Sequence, residues 1–217
     1  MFLATMSHEM RTPLHGLIAA LELMNKSGFD DENRTLFDTA RDCSERALLQ
    51  VNDVLQFTRA TSTREAMRAF RPARVVADVV GELGAFAKDN DNEIIVIVNG
   101  PGAQQQVVGY PAAFSRALYN LVGNAVKFSV SGQITVQLDF AQTTPDGPIT
   151  LKVCVQDQGP GIAKADQQRI FRMFETSVDQ TNTAKGSGLS GTGLGLPITK
   201  LAVETMGGDI QLDSAPG

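Results

Sequence analysis

The sequence predicts an α-helical hairpin that is followed by an α/β domain. Apolar residues recur at heptad spacing through the first 25 residues, and a second helical pattern covers residues 33–60. A turn rich in Ser, Gly and Asp separates these two helical segments. Beyond residue 72, stretches that alternate polar and apolar residues, as strands do, are mixed with helical patterns. The chain therefore divides into a helical hairpin, a linker and an α/β domain, at residues 1–60, 61–71 and 72–217.

The composition is that of an ordinary globular chain and excludes several classes of protein. The 217 residues are 42% hydrophobic and 20% charged, with a formal net charge of −5. No dense basic run occurs, which argues against a nucleic-acid partner. No apolar run approaches the length of a membrane span, and no secretory signal opens the chain. We therefore expect a cytoplasmic fragment with no direct membrane contact. Cys43 and Cys154 are far apart and show no metal-ligand spacing.

The first helix carries its apolar residues in one stripe. Leu3, Met10, Leu17 and Met24 recur at intervals of seven, as in a coiled coil or helical bundle. The second helix has a comparable stripe. One hairpin has too little inner surface to cover both stripes, whereas two copies in a four-helix bundle would bury them. We therefore expect a homodimer through the hairpin.

The α/β domain contains three predicted helices and a set of short strands. Pro111 lies in the first turn of the central helix, where proline is favoured. A turn near Gly147 joins two alternating strands, which predicts a β-hairpin. The predicted helices are Ala73–Lys88, Pro111–Phe128 and 196–206, and the predicted strands are Glu93–Asn99, Gln133–Phe140, Ile149–Val155 and the short segment Ile210–Asp213.

His8 is the first candidate for chemistry. With Leu3 at heptad position a, His8 falls at position f, the most solvent-facing position of the helix. A neutral imidazole on an exposed face is a competent nucleophile near neutral pH. Thr12 lies one turn further on and shares that face, and Pro13 removes a backbone donor beside His8. An exposed histidine is also commonly a solvated residue without a role, which is the reading we give to His15.

The whole string around His8 narrows these alternatives. FLATMSHEMRTPLHGLIAALEL, at residues 2–23, resembles the phosphoacceptor box of sensor histidine kinases. The resemblance implies that His8 is phosphorylated and that Glu9 takes its Nδ1 proton, so that Nε2 attacks the γ-phosphate. It also implies that Thr12 positions water in the reverse, phosphatase reaction on the partner. Helix geometry alone does not aim Glu9 at His8, so the role of Glu9 depends on the resemblance.

Three further strings have residue types that suit a nucleotide site. In NLVGNAVKF, Asn120 and Asn124 share a helix face with Lys127, which suits a hard cation and phosphate, although such spacing is common on helix surfaces. DQGPG follows a strand, where a carboxylate can accept from an exocyclic amine, although it is also a common turn. GTGLGL opens a helix and suits an anion. Its GxGxG spacing and late position exclude a dinucleotide fingerprint.

In this order the strings resemble the N, G1, F and G2 boxes of the ATP-binding domain of histidine kinases, within the wider GHKL ATPase group. The F box is IFRMF, and the Ser, Thr and Gly-rich run before Gly191 corresponds to an ATP lid. The resemblance implies an α/β sandwich that binds ATP and Mg²⁺, with Asn124 as the main metal ligand and Asn120 contributing. The implied nucleotide-binding residues are Asn120, Asn124, Lys127, Phe128, Asp157, Gly159, Gly161, Gly191, Thr192, Gly193, Leu194, Gly195 and Leu196.

The chain departs from this family pattern at two places that matter below. Tyr110 stands where an Asp is usual before the proline. Family members usually continue past a sequence like DSAPG into a closing strand, whereas this chain stops at Gly217. We therefore expect the sheet to lack its final strand and to have an exposed edge.

The resemblance implies autophosphorylation of His8 and phosphotransfer to an aspartate of a response-regulator receiver domain, separate or fused. Two alternatives stand beside it: a GHKL-type ATPase clamp, and a non-catalytic dimerisation or docking module. The phosphoacceptor segment argues against the clamp, and the presence of His8, Asn124 and Asp157 argues against the docking module.

Overall fold

A computed structural model describes residues 2–24, 28–62, 65–100, 105–142, 147–172, 175 and 193–216. For residues 2–11, 22, 42, 45–46, 49–50, 52–62 and 142 it describes the backbone alone. Within these residues the helices are α1 (Phe2–Leu23), α2 (Asp31–Ser62), α3 (Pro72–Asp89), α4 (Pro111–Phe128) and α5 (Gly195–Thr205). The strands are β1 (Arg68–Phe70), β2 (Glu93–Asn99), β3 (Val107–Gly109), β4 (Gln133–Gln142) and β5 (Ile149–Gln156).

The predicted hairpin is confirmed, since α1 and α2 pack against each other. Asp30 begins α2 as an N-cap: its Oδ1 accepts from the Asn33 N–H at 2.8 Å. The turn is closed by apolar contacts, in which Leu21 and Phe37 are buried and the Phe29 and Phe37 rings lie 5.8 Å apart. No helix of the described residues is long and apolar enough to cross a membrane.

The α/β domain has a three-stranded mixed sheet with helices on one face, as the sequence predicted. β2 runs parallel to β4, and β4 pairs antiparallel with β5. Parallel neighbours need a crossover connection, which β3 and α4 supply. The core lies between the sheet and helices α3 and α4. Its buried members are Val76, Val79, Leu83, Ala87, Phe114, Leu118, Val122, Ala125, Val126, Ile134, Val136, Leu138 and Phe140.

The segment expected to be a linker, residues 61–71, differs from that expectation. α2 continues to Ser62, and β1 pairs antiparallel with β3, so that Arg68 lies opposite Gly109. The physical reason is an apolar anchor within a polar segment: the Phe70 ring packs 5.7 Å from the Phe114 ring of α4. The α/β domain therefore begins its backbone pairing at Arg68.

The C-terminal segment also differs from the prediction of a short strand at Ile210–Asp213. Within the described residues, 209–216 form no strand. Their polar groups bond to the loop after β5 instead: the Ile162 N–H donates to Ser214 Oγ at 3.0 Å, and Gln167 Nε2 donates to the Ser214 carbonyl at 2.7 Å. Hydrogen bonding to a loop has replaced the expected pairing with a strand.

Candidate active site

The phosphoacceptor candidate lies on α1, which runs through Pro13 without a break in its helical assignment. His8 and Glu9 belong to this helix, and their side chains lie outside the described part of the chain. Thr12 is exposed one turn further on, and His15 is exposed as well. The helix therefore carries the predicted residues in one short stretch, with Thr12 open to solvent.

Two of the predicted nucleotide-binding strings meet where α4 packs against α5. Asn120 Nδ2 donates to the Gly195 carbonyl at 3.1 Å, which ties the middle of α4 to the first turn of α5. A methyl group built on Gly195 would lie 3.9 Å from Asn124 Nδ2, so Asn124 faces the same point. Thr199 is fully buried, and its hydroxyl donates to the Gly195 carbonyl at 2.9 Å. The two asparagines and the N-terminus of α5 therefore form one site.

The third string lies beside the C-terminal end of α4, in the turn after β5. Asp157 is exposed, and its Oδ1 accepts from the Gly159 N–H at 2.9 Å. A side chain at Gly159 would come within 3.0 Å of the Phe128 carbonyl, so glycine lets the turn lie close to the end of α4 without displacing it. Gln158 Oε1 accepts from the Gln133 N–H at 2.9 Å and ties the turn to the start of β4. The turn that carries Asp157 thus lies against the backbone of Phe128.

The C-terminal end of α4 is positioned by Asn92, which is only 6% exposed. Its Nδ2 donates to the carbonyls of Val126 at 3.2 Å and Ser129 at 2.9 Å. Its Oδ1 accepts from the Gly132 N–H at 3.0 Å. The two donated bonds satisfy carbonyls that the C-terminal end of α4 leaves unpaired, and the accepted bond holds the turn that leads to β4. They also fix the last turn of α4, which carries Lys127 and Phe128.

Lys127 and Phe128 supply a cation and an aromatic surface beside the turn after β5. Lys127 Nζ lies 5.0 Å from the centre of the Phe128 ring. The Phe128 ring is 45% exposed, which is unusual for a large apolar side chain at the edge of a core. An exposed ring with an ammonium group over it, near the turn that carries Asp157, is suited to a flat, anionic ligand.

The remaining predicted residues differ in their surroundings. Gly193 has a φ of 72°, a left-handed conformation that favours glycine, and Leu196 is half-buried. Leu194 is 2% exposed, so its side chain belongs to the interior. Gly161, with φ 70°, lies against the backbone of Ala215, so its lack of a side chain admits the C-terminal segment. Gly191, Thr192 and residues 176–190 of the predicted ATP lid lie outside the described residues.

The donor set of this site fits a magnesium nucleotide. Within the described ranges, no group of three or more His, Cys, Asp or Glu side chains lies together. The oxygen donors beside Gly195 are therefore the carboxamides of Asn120 and Asn124. Mg²⁺ commonly keeps several waters and substrate phosphate oxygens among its six ligands, so it needs few protein donors. The start of α5 adds backbone N–H groups, which favour phosphate.

Sequence reasoning missed two residues that shape the site. Glu65 accepts hydrogen bonds from the Ala112 and Ala113 N–H groups at the start of α4. Asn92 holds the other end of the same helix. Each of these residues forms side-chain hydrogen bonds with partners at least 34 positions away in the sequence, so no local sequence pattern indicates its role. The family departure at Tyr110 was the available signal for Glu65, because it removes the usual capping side chain.

Comparison with known proteins places both parts of the chain. Residues 109–217 match the family model "Histidine kinase-, DNA gyrase B-, and HSP90-like ATPase". Residues 1–63 match the "His Kinase A (phospho-acceptor) domain". The chain is 32% identical over 216 residues to the signal transduction histidine-protein kinase BarA of Escherichia coli K12, covering 99% of this chain and 23% of BarA. It is 30% identical over 218 residues to the sensor histidine kinase GacS of Pseudomonas protegens, covering 100% of this chain and 23% of GacS.

Solved structures agree with these matches. Full-length ShkA in complex with AMPPNP superposes with a TM-score of 0.64 at 28% identity, covering 94% of this chain and 41% of ShkA. The Acinetobacter baumannii histidine kinase AdeS gives a TM-score of 0.59 at 19% identity, covering 96% of this chain and 92% of AdeS, a likeness of fold alone.

The fold and the site together define an ATP-binding α/β module joined to a phosphoacceptor hairpin. The chain belongs to the sensor histidine kinase family and carries the catalytic core of that family. It spans about a quarter of the length of BarA and GacS.

Proposed function

We propose that this core binds Mg²⁺ and ATP and transfers the γ-phosphoryl group to His8. The observation that supports the proposal best is the meeting of Asn120 and Asn124 with Gly195 at the start of α5. Amide oxygens, backbone N–H groups and a helix N-terminus are the groups that hold a metal-bound triphosphate. The match of residues 1–63 to a phosphoacceptor domain supplies the acceptor side.

The nucleotide would lie along α4, between the turn of Asp157 beside Phe128 and the start of α5 at Gly195. The adenine would lie against the exposed Phe128 ring, with its amine donating to Asp157. The phosphates would extend toward Gly193 and Gly195, and Lys127 would turn from the Phe128 ring toward them to offset their charge. Asn124 and Asn120 would hold Mg²⁺, which supplies charge neutralisation when it is bound.

The chemistry at His8 is an in-line displacement. Nε2 forms a bond to the γ-phosphorus while the bond from that phosphorus to the bridging oxygen of ADP breaks. Glu9 accepts the Nδ1 proton, which keeps electron density at Nε2. Thr12, exposed on the same helix face, would position water for the opposite reaction on a phosphorylated partner.

The first proposed partner is a second copy of the chain, which would bind through the hairpin. In the single chain, apolar side chains on the hairpin remain open: Leu17 is 48% exposed and Leu36 is 61% exposed. A second copy in a four-helix bundle would cover them, so we propose a homodimer.

We further propose that the phosphoryl group passes from His8 to an aspartate of a receiver domain, separate or fused. Because ATP is the donor, we place this reaction in the cytoplasm.

Incubation with Mg²⁺ and γ-labelled ATP tests the proposal. We expect the wild-type chain to acquire a label that acid removes and base does not, as expected of a phosphohistidine, and we expect Asn124→Asp to acquire none. Asp in place of Asn keeps the size of the side chain but adds charge beside the phosphates. Hydrolysis of ATP without labelling of the protein would point to an ATPase clamp instead. A chain that binds no nucleotide at all would be a docking module.

A further inference from the structure

Helix α4 carries the asparagines of the site, and its N-terminus is capped from outside the helix. Pro111, the first residue of α4, has no N–H group, and the Phe114 N–H bonds within the helix to the Tyr110 carbonyl at 3.0 Å. The two donors that remain in the first turn are those of Ala112 and Ala113. Tyr110 occupies the N-cap position and makes no side-chain hydrogen bond there. The usual cap, a side chain at the N-cap position that accepts from the first-turn N–H groups, is therefore absent from α4.

Glu65 satisfies both donors. Its Oε1 accepts from the Ala112 N–H at 2.7 Å, and its Oε2 accepts from the Ala113 N–H at 2.9 Å. These are the N2 and N3 donors that an Asp or Ser at the N-cap would bind. The negative charge also lies at the positive end of the helix dipole. All first-turn donors of α4 are thus accounted for, two of them by a residue that lies 47 positions earlier.

The position of Glu65 in the chain gives this cap a second consequence. Glu65 follows the end of α2, at Ser62, by three residues, and it precedes β1 by three. Three residues span at most about 11 Å between Cα atoms. A Glu65 held on α4 therefore holds the end of α2 close to the start of α4. α2 also lies against α5, the helix that opens at Gly195.

We propose that Glu65 is a positioning residue for autophosphorylation, a proposal that rests on the proposed function. By capping α4 from the connecting segment, it ties the second helix of the hairpin to the helix that carries Asn120 and Asn124. It thereby fixes the direction from which the nucleotide site approaches His8. A small change in that direction is costly, since a misplacement of about 1 Å can reduce the rate of an oriented reaction about 100-fold.

A cycle of two substitutions separates this role from simple capping. Tyr110→Asp gives α4 a local cap, so that Glu65 is no longer needed for helix stability. In the otherwise wild-type chain, Glu65→Ala should lower Tm by about 2–4 °C, as expected for a lost cap in a domain of this size. In the Tyr110→Asp background the same change should leave Tm unaltered. Glu82→Ala, at an exposed position of α3, is the control.

Because an Asp at position 110 takes the donors that Glu65 binds, Glu65→Ala and Tyr110→Asp both release Glu65 from α4. Relative to the wild-type chain, the rate of His8 labelling at saturating ATP should therefore fall about tenfold with either change and with both together, whereas the Kd for ATP should stay within about twofold. If Glu65 only caps the helix, the chain with both changes, in which the Asp introduced at position 110 supplies the cap, will be labelled at the wild-type rate, and the proposal is then wrong. A fall in ATP affinity that matches the fall in rate would also overturn it.

A structural readout separates failure of this proposal from failure of the proposed function. Cys43 on α2 and Cys154 on β5 are both exposed and accept spin labels without substitution. Distances between them are measured in labelled chains diluted with an excess of unlabelled chain. The distribution should broaden with Glu65→Ala and with Tyr110→Asp, since each releases Glu65 from α4, and should stay narrow with Glu82→Ala. An unchanged distribution would refute the tether, whether or not the wild-type chain phosphorylates itself.

Discussion

Replacement of Asn92 by Ala should destabilise the α/β domain and weaken ATP binding together. The substitution removes hydrogen bonds to the Val126 and Ser129 carbonyls and from the Gly132 N–H. A net contribution of about 1 kcal/mol for each bond gives a loss of about 3 kcal/mol in the free energy of unfolding. Because Asn92 is buried, water cannot replace all of its bonds.

Asn90→Ala is the matched control for Asn92→Ala. Asn90 donates a single side-chain bond, to the same Val126 carbonyl, at 3.2 Å. Its loss should cost about 1 kcal/mol. In urea the midpoint should therefore shift by about 1–2 M for Asn92→Ala and by well under 1 M for Asn90→Ala. Binding of ATP at low temperature should weaken only for Asn92→Ala, because only that change releases the turn that carries Lys127 and Phe128. Equal midpoints for the two variants would refute this reasoning.

Two further predictions test other parts of the domain. Gly161→Ala should displace the C-terminal segment and lower Tm, because Gly161 has φ 70° and lies against Ala215. The control Gly81→Ala, in open space on α3, should raise Tm slightly. Equal shifts in Tm for the two variants would contradict this prediction. Hydrogen bonds from Gln137 and Asn99, aided by the charge of Lys152, hold the pKa of Asp139 below its ordinary value of 3.8. Because that depression is present only in the folded state, its stabilising effect exists above the ordinary pKa and is lost as pH falls below it. The stability difference between wild type and Asp139→Asn, measured by urea unfolding, should shrink below about pH 4 and stay constant between pH 5 and 7.

The helices and long strands were predictable because their signals are local. α4 begins and ends where the sequence predicted, at Pro111 and Phe128, since the proline fits a first turn and the apolar pattern has helical spacing. β2 was predicted from its run of β-branched residues. By contrast, β1 and β3 have three residues each, which is too short for a periodic pattern. Their pairing depends on the packing of the Phe70 ring against the Phe114 ring of α4.

The residue types of the candidate site were predictable from the sequence, whereas the residues that position them were not. The strings around Asn120, Asp157 and Gly195 contain the side chains and glycines from which the candidate site is built. The roles of Glu65 and Asn92 arise only when distant parts of the chain meet, so neither is visible in the sequence. The same reason explains Gly161, because its lack of a side chain accommodates Ala215 and Pro216, which lie more than 50 residues later in the chain.

The two histidines of the chain allow the most direct test of the central claim. Both lie on α1, seven residues apart and at the same heptad position, so that His15→Gln is a closely matched control for His8→Gln. With Mg²⁺ and γ-labelled ATP, the His15→Gln chain should be labelled at the wild-type rate, and the His8→Gln chain should acquire no acid-labile label while binding ATP normally. Label that persists in His8→Gln, or that disappears in His15→Gln, would contradict the assignment of His8 as the phosphorylated residue.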